Sequence, residues 1–542
     1  MRFWGDAVLR AEAKFNKTAV LSSLERRSAT VAIWTLLSRV TGLLRVVVIG
    51  AVLGPTFFAN TFQSTNSLPN LTYTLVAGSV LAMVVVPICV HEFELRGINR
   101  AREIVQRLSG LILEVGVLLA VGLISISPLL AYLLTSGVDR ADRARARTFV
   151  VVLIALLAPQ IVFYLAAALG AAVQQVHGRF AVAAAAPAME NIGLIITMLI
   201  VNQRYRRGLE IGNVPFGLVV IVAGGSTLAV AAHAAIQVAA ARRTGMGMRP
   251  SRGGRSDPQV REIISRLLQS VRIAAFPALG FLSMIVASST VRGGVVVFQT
   301  VLALYNVPVA LGARAISTAV LPALSEAAAK GQSELFVAEL RRGLTYTTVA
   351  AVGASCVLIA LAYPLANLLA NGALRTTQLI TRLAICTAVV GFAQFASSLH
   401  EIGRQGLFAR LDIRGPRRAS GLGLLATLTM CFIALSFPVG NVRMALVCGG
   451  LLASDAVAAT IVLLELRKGL PNGVLIGARG FLGTAVLCGG LLAASGLIGL
   501  LLYRLALNRA ADLGIIALGG SAWLAALVLV MRSQRALSRS VP

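Results

Sequence analysis

The chain has 542 residues, of which 57% are hydrophobic and only 13% are charged, and its mean hydropathy is +0.84. A soluble chain carries roughly 25% charged residues, so this composition excludes a soluble enzyme, a secreted disulfide scaffold and a disordered regulator. Lysine and arginine number 49 against 21 acidic residues, a formal net charge of +28. In so apolar a chain this excess is typical of loops that follow the positive-inside rule, rather than of nucleic-acid binding.

The first element is a segment over residues 1–28, in which charged and apolar residues alternate without a signal-peptide cleavage site. This pattern predicts an amphipathic segment on the cytoplasmic membrane surface. Fourteen apolar spans follow, at 29–53, 62–90, 108–135, 148–172, 180–201, 214–241, 270–291, 295–321, 344–370, 378–403, 419–437, 444–466, 474–503 and 512–531. A membrane helix needs about 20 apolar residues and a barrel strand about ten, so the spans predict an all-α polytopic membrane protein with about 14 transmembrane helices.

The basic residues indicate how this bundle is oriented. With the N-terminus in the cytoplasm, 32 lysines and arginines fall in cytoplasmic segments and 12 in outer loops. Positive charge is retained on the cytoplasmic side during insertion. We therefore expect a multi-pass protein of the bacterial inner membrane with both termini in the cytoplasm.

A polar stretch rich in Gly, Arg and Ser divides the first twelve spans into two sets of six. Pro69 and Pro87 in the second span have counterparts in Pro308 and Pro322 of the eighth, which suggests two parallel repeats with a substrate site between them. The predicted domains are the N-terminal segment 1–28, an N-lobe at 29–241, a basic cytoplasmic linker at 242–268, a C-lobe at 269–466, and a last helix pair with a cytoplasmic tail at 467–542.

Cations inside predicted spans are the main functional signal, because a charge in hydrocarbon costs several kcal/mol. Arg39 and Arg45 lie in the first span, in SRVTGLLR, and Arg272 and Arg314 lie in the second lobe. One interpretation is that such side chains snorkel to the headgroups or anchor a helix end. The other is that they offer guanidinium groups to a phosphate, which arginine binds bidentately.

Acids within the spans are fewer, and two of them are candidates for ion or proton coupling. Glu190 lies beside Asn191 in PAMEN, and Asp455 lies in the twelfth span. A buried ion pair is an equally good interpretation of each. The six cysteines and four histidines show no metal-ligand spacing, and the chain has no GxxxxGK[ST] motif for nucleotide binding. We therefore expect no metal, no cofactor and no enzymatic activity.

Several blocks of sequence together resemble the MurJ/MviN family of lipid II flippases, in the superfamily that also holds the MATE drug exporters. The blocks are SRVTGLLR at 38–45, LPN at 68–70, QQVHGRFAVAAAAPAMEN at 174–191, VPVALGARAISTAVLPALS at 307–325 and FARLDIRGPRR at 408–418. The resemblance implies two six-helix lobes around a cationic cavity and a last helix pair lining a groove for a lipid tail. Of the family's charged positions, Arg39 and Arg45 carry over. Together with the other polar residues of the spans and motifs, they give a predicted substrate-binding set at Arg39, Arg45, Asn60, Asn70, Arg272 and Arg314.

The chain departs from the family pattern at several charged positions. Acids of the family are replaced by Val46, Asn60 and Gly78, basic residues after LPN are replaced by Tyr73 and Thr74, and a cavity arginine is replaced by Ala303. Arg314 lies eleven residues after Ala303, about 20° from the same helix face, and is a candidate to take over that role.

The resemblance implies a flippase that moves a polyprenyl-pyrophosphate-linked cell-wall precursor, in the simplest case lipid II of peptidoglycan biosynthesis, to the outer leaflet. Three alternatives stay open: a flippase for another lipid-linked oligosaccharide, a MATE-like antiporter of small cations, and a membrane scaffold that recruits cell-wall enzymes without transport. Cationic cavity residues disfavour the antiporter, because they would repel its substrates. The expected partners are a polyprenyl-linked glycan lipid, membrane lipids and cell-wall synthesis proteins, and no nucleic acid.

Overall fold

A computed structural model describes residues 33–78, 80–468, 478–505 and 508–539. Within these ranges the regular secondary structure is helical throughout, as the long apolar spans predict. The predicted amphipathic segment 1–28 lies outside the described residues.

The helices of the first half form the N-lobe, and the longest of them is interrupted by Gly97, whose φ of 79° lies in the left-handed region. They are α1 Ile33–Leu53, α2 Phe57–Val76, α3 Val80–Ser125, α4 Ser127–Leu134, α5 Arg143–Leu157, α6 Gln160–Val176, α7 Ala181–Arg204 and α8 Phe216–Arg242. Helices α5 and α6 continue one another across a break at Pro159, because a proline ring removes a backbone donor and displaces the preceding turn.

The helices of the second half form the C-lobe and a final pair. They are α9 Pro258–Ser289, α10 Gly294–Leu311, α11 Ala313–Ala329, α12 Ser333–Ala360, α13 Ala362–Leu369, α14 Thr377–Ala409, α15 Arg414–Ser436, α16 Asn441–Lys468, α17 Ala478–Leu505 and α18 Arg509–Arg539. Gly312 separates α10 from α11 within one long helical segment. The final pair, α17 and α18, packs against α12 and α13.

Twelve helices in the described ranges are long and apolar enough to cross a membrane, so the predicted count of about 14 is not confirmed. The predicted second and third spans both draw on α3, whose 46 residues comprise two helical segments that meet at a kink at Gly97. Helix α2, which holds the first part of the predicted second span, carries many hydroxyl and amide side chains, which lowers its hydropathy. The last predicted span, 512–531, includes side chains outside the description.

Each lobe is held by tight packing of its own helices. In the N-lobe, α6 packs against α3 and α8, and α8 packs against α7. In the C-lobe, α16 packs against α14 and α15, with a separate apolar core that includes Leu340, Ile402 and Val462. Burial of such side chains is what orients the polar groups described below toward the space between the lobes.

The lobes meet closely at one end of the bundle, which we call the Asn60 end. Asn60 is 1% exposed, and its Nδ2 donates to the carbonyl oxygens of Val291 at 2.7 Å and Ser289 at 3.4 Å. Its Oδ1 accepts from the backbone N–H of Val295 at 3.1 Å. One side chain on α2 therefore uses both its donor and its acceptor to hold the α9–α10 turn of the opposite lobe. Sequence analysis placed Asn60 in the substrate site, whereas the structure places it in this seal.

Small residues allow this close approach. A Cβ on Gly50 of α1 would lie 2.3 Å from the Leu374 side chain, and one on Gly293 would lie 2.6 Å from Pro55. Gly293 also has a φ of 68°, which a residue with a side chain adopts only at a cost. An ion pair between Arg292 and Glu210 joins the two lobes beside these contacts. The Asn60 end is therefore closed by backbone contact as well as by side chains.

The opposite end, which we call the linker end, contains residues 243–257 between the lobes. This segment lies along α3: the Ser251 N–H donates to the Gln106 carbonyl at 3.0 Å. Asp257 caps α9 and pairs with Arg100 at 3.0 Å and Arg107 at 2.7 Å. Helix α9 begins at Pro258, inside the range 242–268 predicted as linker. The basic stretch is thus attached to the N-lobe through a buried carboxylate.

Replacing Asp257 by asparagine is expected to detach this segment. Burial alone would raise the pKa of Asp257, but hydrogen bonds from Arg100, Val260 N–H and Arg107 outweigh it and hold the pKa below its ordinary value. The ion pairs therefore stabilise the protein at neutral pH, above the unfolded value near 3.9, and are lost only as pH falls through the lower folded pKa. Removing one partner of a buried pair costs about 3 kcal/mol, so amide exchange over residues 251–256 should speed up roughly 100-fold.

Hydrogen exchange measured by mass spectrometry checks this expectation. Arg255→Ala is the matched control, because Arg255 belongs to the same segment but pairs with Glu114 at an exposed position. Equal exchange in the Asp257→Asn variant and the wild type would contradict the role of Asp257.

Candidate functional site

The N-lobe presents a carboxylate surrounded by three polar side chains, which we call the N-lobe cluster. Glu190 of α7 accepts a hydrogen bond from the Tyr164 hydroxyl at 2.9 Å and an ion pair from Arg45 at 3.1 Å, both at Oε1. The His233 Nδ1 lies 3.6 Å from Oε2. Four helices, α1, α6, α7 and α8, therefore each contribute one member.

Arg45 is thus already paired, which changes its predicted part in phosphate binding. Val46, at the position where the family resemblance leads us to expect an acid, is 5% exposed and belongs to the apolar core. The carboxylate that neutralises Arg45 comes instead from Glu190 of α7. The negative charge that α1 lacks at Val46 is therefore contributed by α7.

The SRVTGLLR block at 38–45, which contains Arg45, also contains the residues that hold α1 against α7. The Asn191 Nδ2 donates to the Ser38 carbonyl and to the Thr41 hydroxyl, each at 3.1 Å. A Cβ on Gly42 would lie 3.6 Å from the same amide, so this residue of α1 is also in contact with Asn191. Ser38, Thr41 and Gly42 therefore pack α1 against α7, and the Arg39 side chain is left exposed on a different face.

Arg39 and Arg314 are cations from opposite lobes that act on one another. Both side chains are exposed, and their charges lie within electrostatic range. The charge of Arg314 also acts on Tyr305 and Glu401 of its own lobe. In the described part of the chain, neither guanidinium makes a hydrogen bond or an ion pair. The structure thus brings together these two predicted site residues as a cationic pair between the lobes.

The C-lobe presents a second carboxylate, in what we call the C-lobe cluster. Asp455 of α16 accepts a hydrogen bond from the Tyr305 hydroxyl at 2.8 Å through Oδ2. The His400 Nδ1 lies 3.3 Å from Oδ1. Each lobe therefore holds an acid between a tyrosine and a histidine.

Four members of these clusters were not found from the sequence. His233 and His400 were assigned no function because the histidines show no metal-ligand spacing, and Tyr164 and Tyr305 were not singled out. The tyrosine and acid of the C-lobe cluster are 150 residues apart, and no motif spacing connects them. In the sequence, these two clusters were indicated by their acids alone, Glu190 and Asp455.

Two further predicted site residues have exposed side chains. Asn70 lies in α2 within hydrogen-bonding reach of Tyr164, and its Oδ1 accepts from the Thr74 hydroxyl at 3.2 Å. Tyr73 stacks on Tyr164 with ring centroids 5.6 Å apart, so this part of α2 borders the N-lobe cluster. Arg272 is exposed on α9 and makes no ion pair with another described residue.

An apolar cleft of about 380 Å³ lies where α17 and α18 pack beside α12. The Trp523 indole N–H donates to the Ala350 carbonyl at 3.2 Å, which fixes α18 against α12. The wall is made mainly of aliphatic and small side chains, including Val349, Gly353, Val357, Ile498, Ala522 and Trp523. Such a surface fits a hydrocarbon chain.

Metal chemistry finds no support in the parts of the chain that the structure describes, where no group of three His, Cys, Asp or Glu side chains has metal-binding geometry. All six cysteines are free thiols.

Comparison with known proteins gives concordant results. The family model described as lipid II flippase MurJ matches residues 49–508. The lipid II flippase MurJ of Burkholderia cenocepacia is 25% identical over 399 residues, which cover 73% of this chain and 75% of that protein. A solved structure of lipid II flippase MurJ in an inward closed conformation is similar with a TM-score of 0.67 and 16% identity, covering 93% of this chain and 99% of that one.

The fold extends to the wider superfamily. An inward-facing multidrug resistance transporter of the MATE family in the MOP superfamily has a TM-score of 0.61 and 12% identity, over 84% of this chain and 95% of that one. The matched family model spans most of the chain, and the apolar helices are those of a multi-pass membrane protein. The chain therefore belongs to the MurJ family of lipid II flippases.

Proposed function

We propose that this protein moves a polyprenyl-pyrophosphate-linked glycan, in the simplest case lipid II, from the inner to the outer leaflet by alternating access. The observation that carries the proposal is the pair of unpaired guanidiniums, Arg39 and Arg314, contributed by opposite lobes. Two like charges held close to one another are favourable only with an anion between them, and arginine binds phosphate oxygens in a bidentate geometry.

The apolar cleft supports the same substrate class. A polyprenyl lipid has a charged head and a long hydrocarbon tail, and these need different surroundings. The cationic pair lies between the lobes, whereas the cleft beside α12 is lined by aliphatic side chains and Trp523. The head is therefore proposed to bind the arginines while the tail stays in or near the membrane along α17 and α18.

The closed Asn60 end supports alternating access. We infer from the distribution of basic residues that the linker end faces the cytoplasm, so the Asn60 end faces outward. In this state the lobes are joined at the outer end by Asn60 and by the Arg292–Glu210 pair. Release on the outer side then requires these contacts to break and new contacts to form at the linker end.

A scaffold without transport activity is the second candidate, and its support is the basic surface of the linker end. That segment is bound along α3 through Asp257, which leaves exposed arginines such as Arg249 and Arg252 free to meet a partner. A scaffold predicts that these surface arginines are essential while Arg39 and Arg314 are dispensable.

Depletion of the protein in its native bacterium, followed by extraction of polyprenyl-linked precursors, tests the function. We expect lipid II to accumulate on the inner leaflet and to return to normal when the wild-type chain is restored. Accumulation of a different polyprenyl-linked glycan would identify that lipid as the substrate instead. Unchanged precursor pools, with defects that follow Arg249 and Arg252, would contradict transport and favour the scaffold.

A further inference from the structure

The N-lobe and C-lobe clusters have matching groups but different charge balance. Glu190 is paired with Arg45, which keeps its positive charge at any physiological pH. Asp455 is paired with His400 alone among the described residues. Histidine gains and loses its charge between about pH 5 and pH 8. The two carboxylates therefore differ in whether their compensating charge is permanent or titratable.

Among the residues that the structure describes, no lysine or arginine forms an ion pair with Asp455. Helix α10 contributes the Tyr305 hydroxyl, and α14 contributes His400, with Glu401 next along the chain. Arg314 of α11 acts on Tyr305 and Glu401 from a distance.

Two other helices, α15 and α9, also pack on α16. On α15, Arg418 pairs with Glu465 near the end of α16, and Gly423 approaches Ser454, the neighbour of Asp455. On α9, Arg266 pairs with Glu262 of the same helix, and Arg272 is exposed; on α14, Arg404 pairs with Glu401. Among the described residues, His400 is thus the ionisable base in ion-pair contact with Asp455.

The geometry also identifies the atom that can take a proton. An ionised carboxylate only accepts hydrogen bonds, so the His400 Nδ1, 3.3 Å from Asp455 Oδ1, is the nitrogen that carries hydrogen. In neutral histidine the lone pair is then on Nε2. This Nε2 is buried and has no hydrogen-bond partner within the described part of the protein. An unsatisfied buried acceptor beside a carboxylate is a place where an added proton is stabilised.

We propose that Asp455 and His400 form a proton-binding site that couples lobe movement to protons, a statement that rests on the transport activity proposed above. A proton from water on the open side forms an N–H bond at Nε2, which changes the pair from a net charge of −1 to neutral. A neutral pair is buried more readily than a charged one, so the lobes reverse orientation with the proton bound. The N–H bond then breaks, and the proton passes to water on the other side. Glu190, held by Arg45, stays ionised and takes no part.

Proton binding can be measured without lipid II, on the purified full-length chain in lipid nanodiscs. Infrared difference spectra recorded on pH steps report carboxylate and imidazole groups directly. We expect a pH-dependent histidine signal that is lost in His400→Gln and is changed in Asp455→Asn, because the carboxylate that contacts the imidazole is gone. Glu326→Gln is the matched control, since it removes an exposed carboxylate of the same lobe.

Three outcomes would overturn the site. The first is a spectrum of His400→Gln that equals that of the wild type, and the second is a titration that Asp455→Asn leaves unmoved. The third is a response to added Na⁺ at constant pH, which would make Asp455 part of a metal-cation site.

A transport measurement separates this proposal from the proposed function. In proteoliposomes with lipid II, the wild type is expected to flip faster under an imposed pH gradient, and Asp455→Asn and His400→Gln are expected to lose that dependence. Flipping that responds equally to the gradient in all three proteins would overturn the coupling. Normal infrared titration in a protein that flips no lipid II would instead refute the substrate and leave the proton site standing.

Discussion

Replacing Arg39 by alanine is expected to lower the rate of lipid II translocation roughly 100-fold at limiting substrate. Charge-assisted hydrogen bonds contribute about 1.5–3 kcal/mol, and a bidentate guanidinium–phosphate contact contains two of them, so a loss of about 3 kcal/mol corresponds to that factor. Arg314→Ala should have a similar effect, because the charge of Arg314 acts on Arg39 from the opposite lobe. Flipping of labelled lipid II in proteoliposomes measures both.

A conservative variant of Arg39 shows whether translocation depends on the bidentate geometry of the guanidinium or on its positive charge alone. Lysine keeps the charge but loses the planar fork, so Arg39→Lys should retain an intermediate rate. Arg140→Ala is a matched control, because Arg140 is exposed in the loop between α4 and α5. Wild-type flipping by Arg39→Ala in protein of normal abundance would refute the anion-binding role.

Replacing Asn60 by alanine is expected to open the closed end of the bundle. The change removes three hydrogen bonds between the lobes, to Ser289, Val291 and Val295. Leaving buried polar groups unsatisfied costs about 1–3 kcal/mol each, so the equilibrium should shift toward the open state by about 3 kcal/mol, or roughly 100-fold. Transport should fall as well, because the cycle needs both states.

Spin labels placed at positions 206 and 375, one on each lobe at this end and both exposed, would report the separation by electron–electron resonance. Asn202→Ala serves as the control, because Asn202 interacts with Arg207 within the N-lobe only. A distance distribution in Asn60→Ala that matches the wild type would show that the seal does not depend on this side chain.

The sequence was sufficient to predict the helical fold, because runs of about 20 apolar residues have few other solutions in a membrane. It was insufficient for the helix count. Gly97 lies between two predicted spans, and its left-handed φ joins the two helical segments of α3 at a kink that the apolar pattern does not reveal. The break at Pro159 between α5 and α6 has a local cause, since the proline ring removes a backbone donor and displaces the preceding turn.

Part of the candidate functional site could also be predicted from the sequence. Arg39 and Arg314 stood out because charges within apolar spans are costly wherever they are placed. Asn60 was assigned to the cavity from the position of a family acid, yet an amide can donate to carbonyls, as an ionised acid cannot, and the structure uses this ability in the seal. The histidines were missed because their partners lie far away in sequence, as His400 and Asp455 do.

The pairing of Arg45 with Glu190 has an electrical consequence. Among the described residues, the pairing of Arg45 leaves Arg39 and Arg314 as cations without an ion pair, and the empty protein presents these two charges to the field across the membrane. A pyrophosphate with about one negative charge on each phosphate would cancel them, so the loaded step would carry almost no current. The return of the empty protein would move the charge, and a voltage that is negative inside favours it by about 2.3 kcal/mol per charge per 100 mV. Membrane voltage would therefore drive the reset of the cycle rather than the delivery of the lipid.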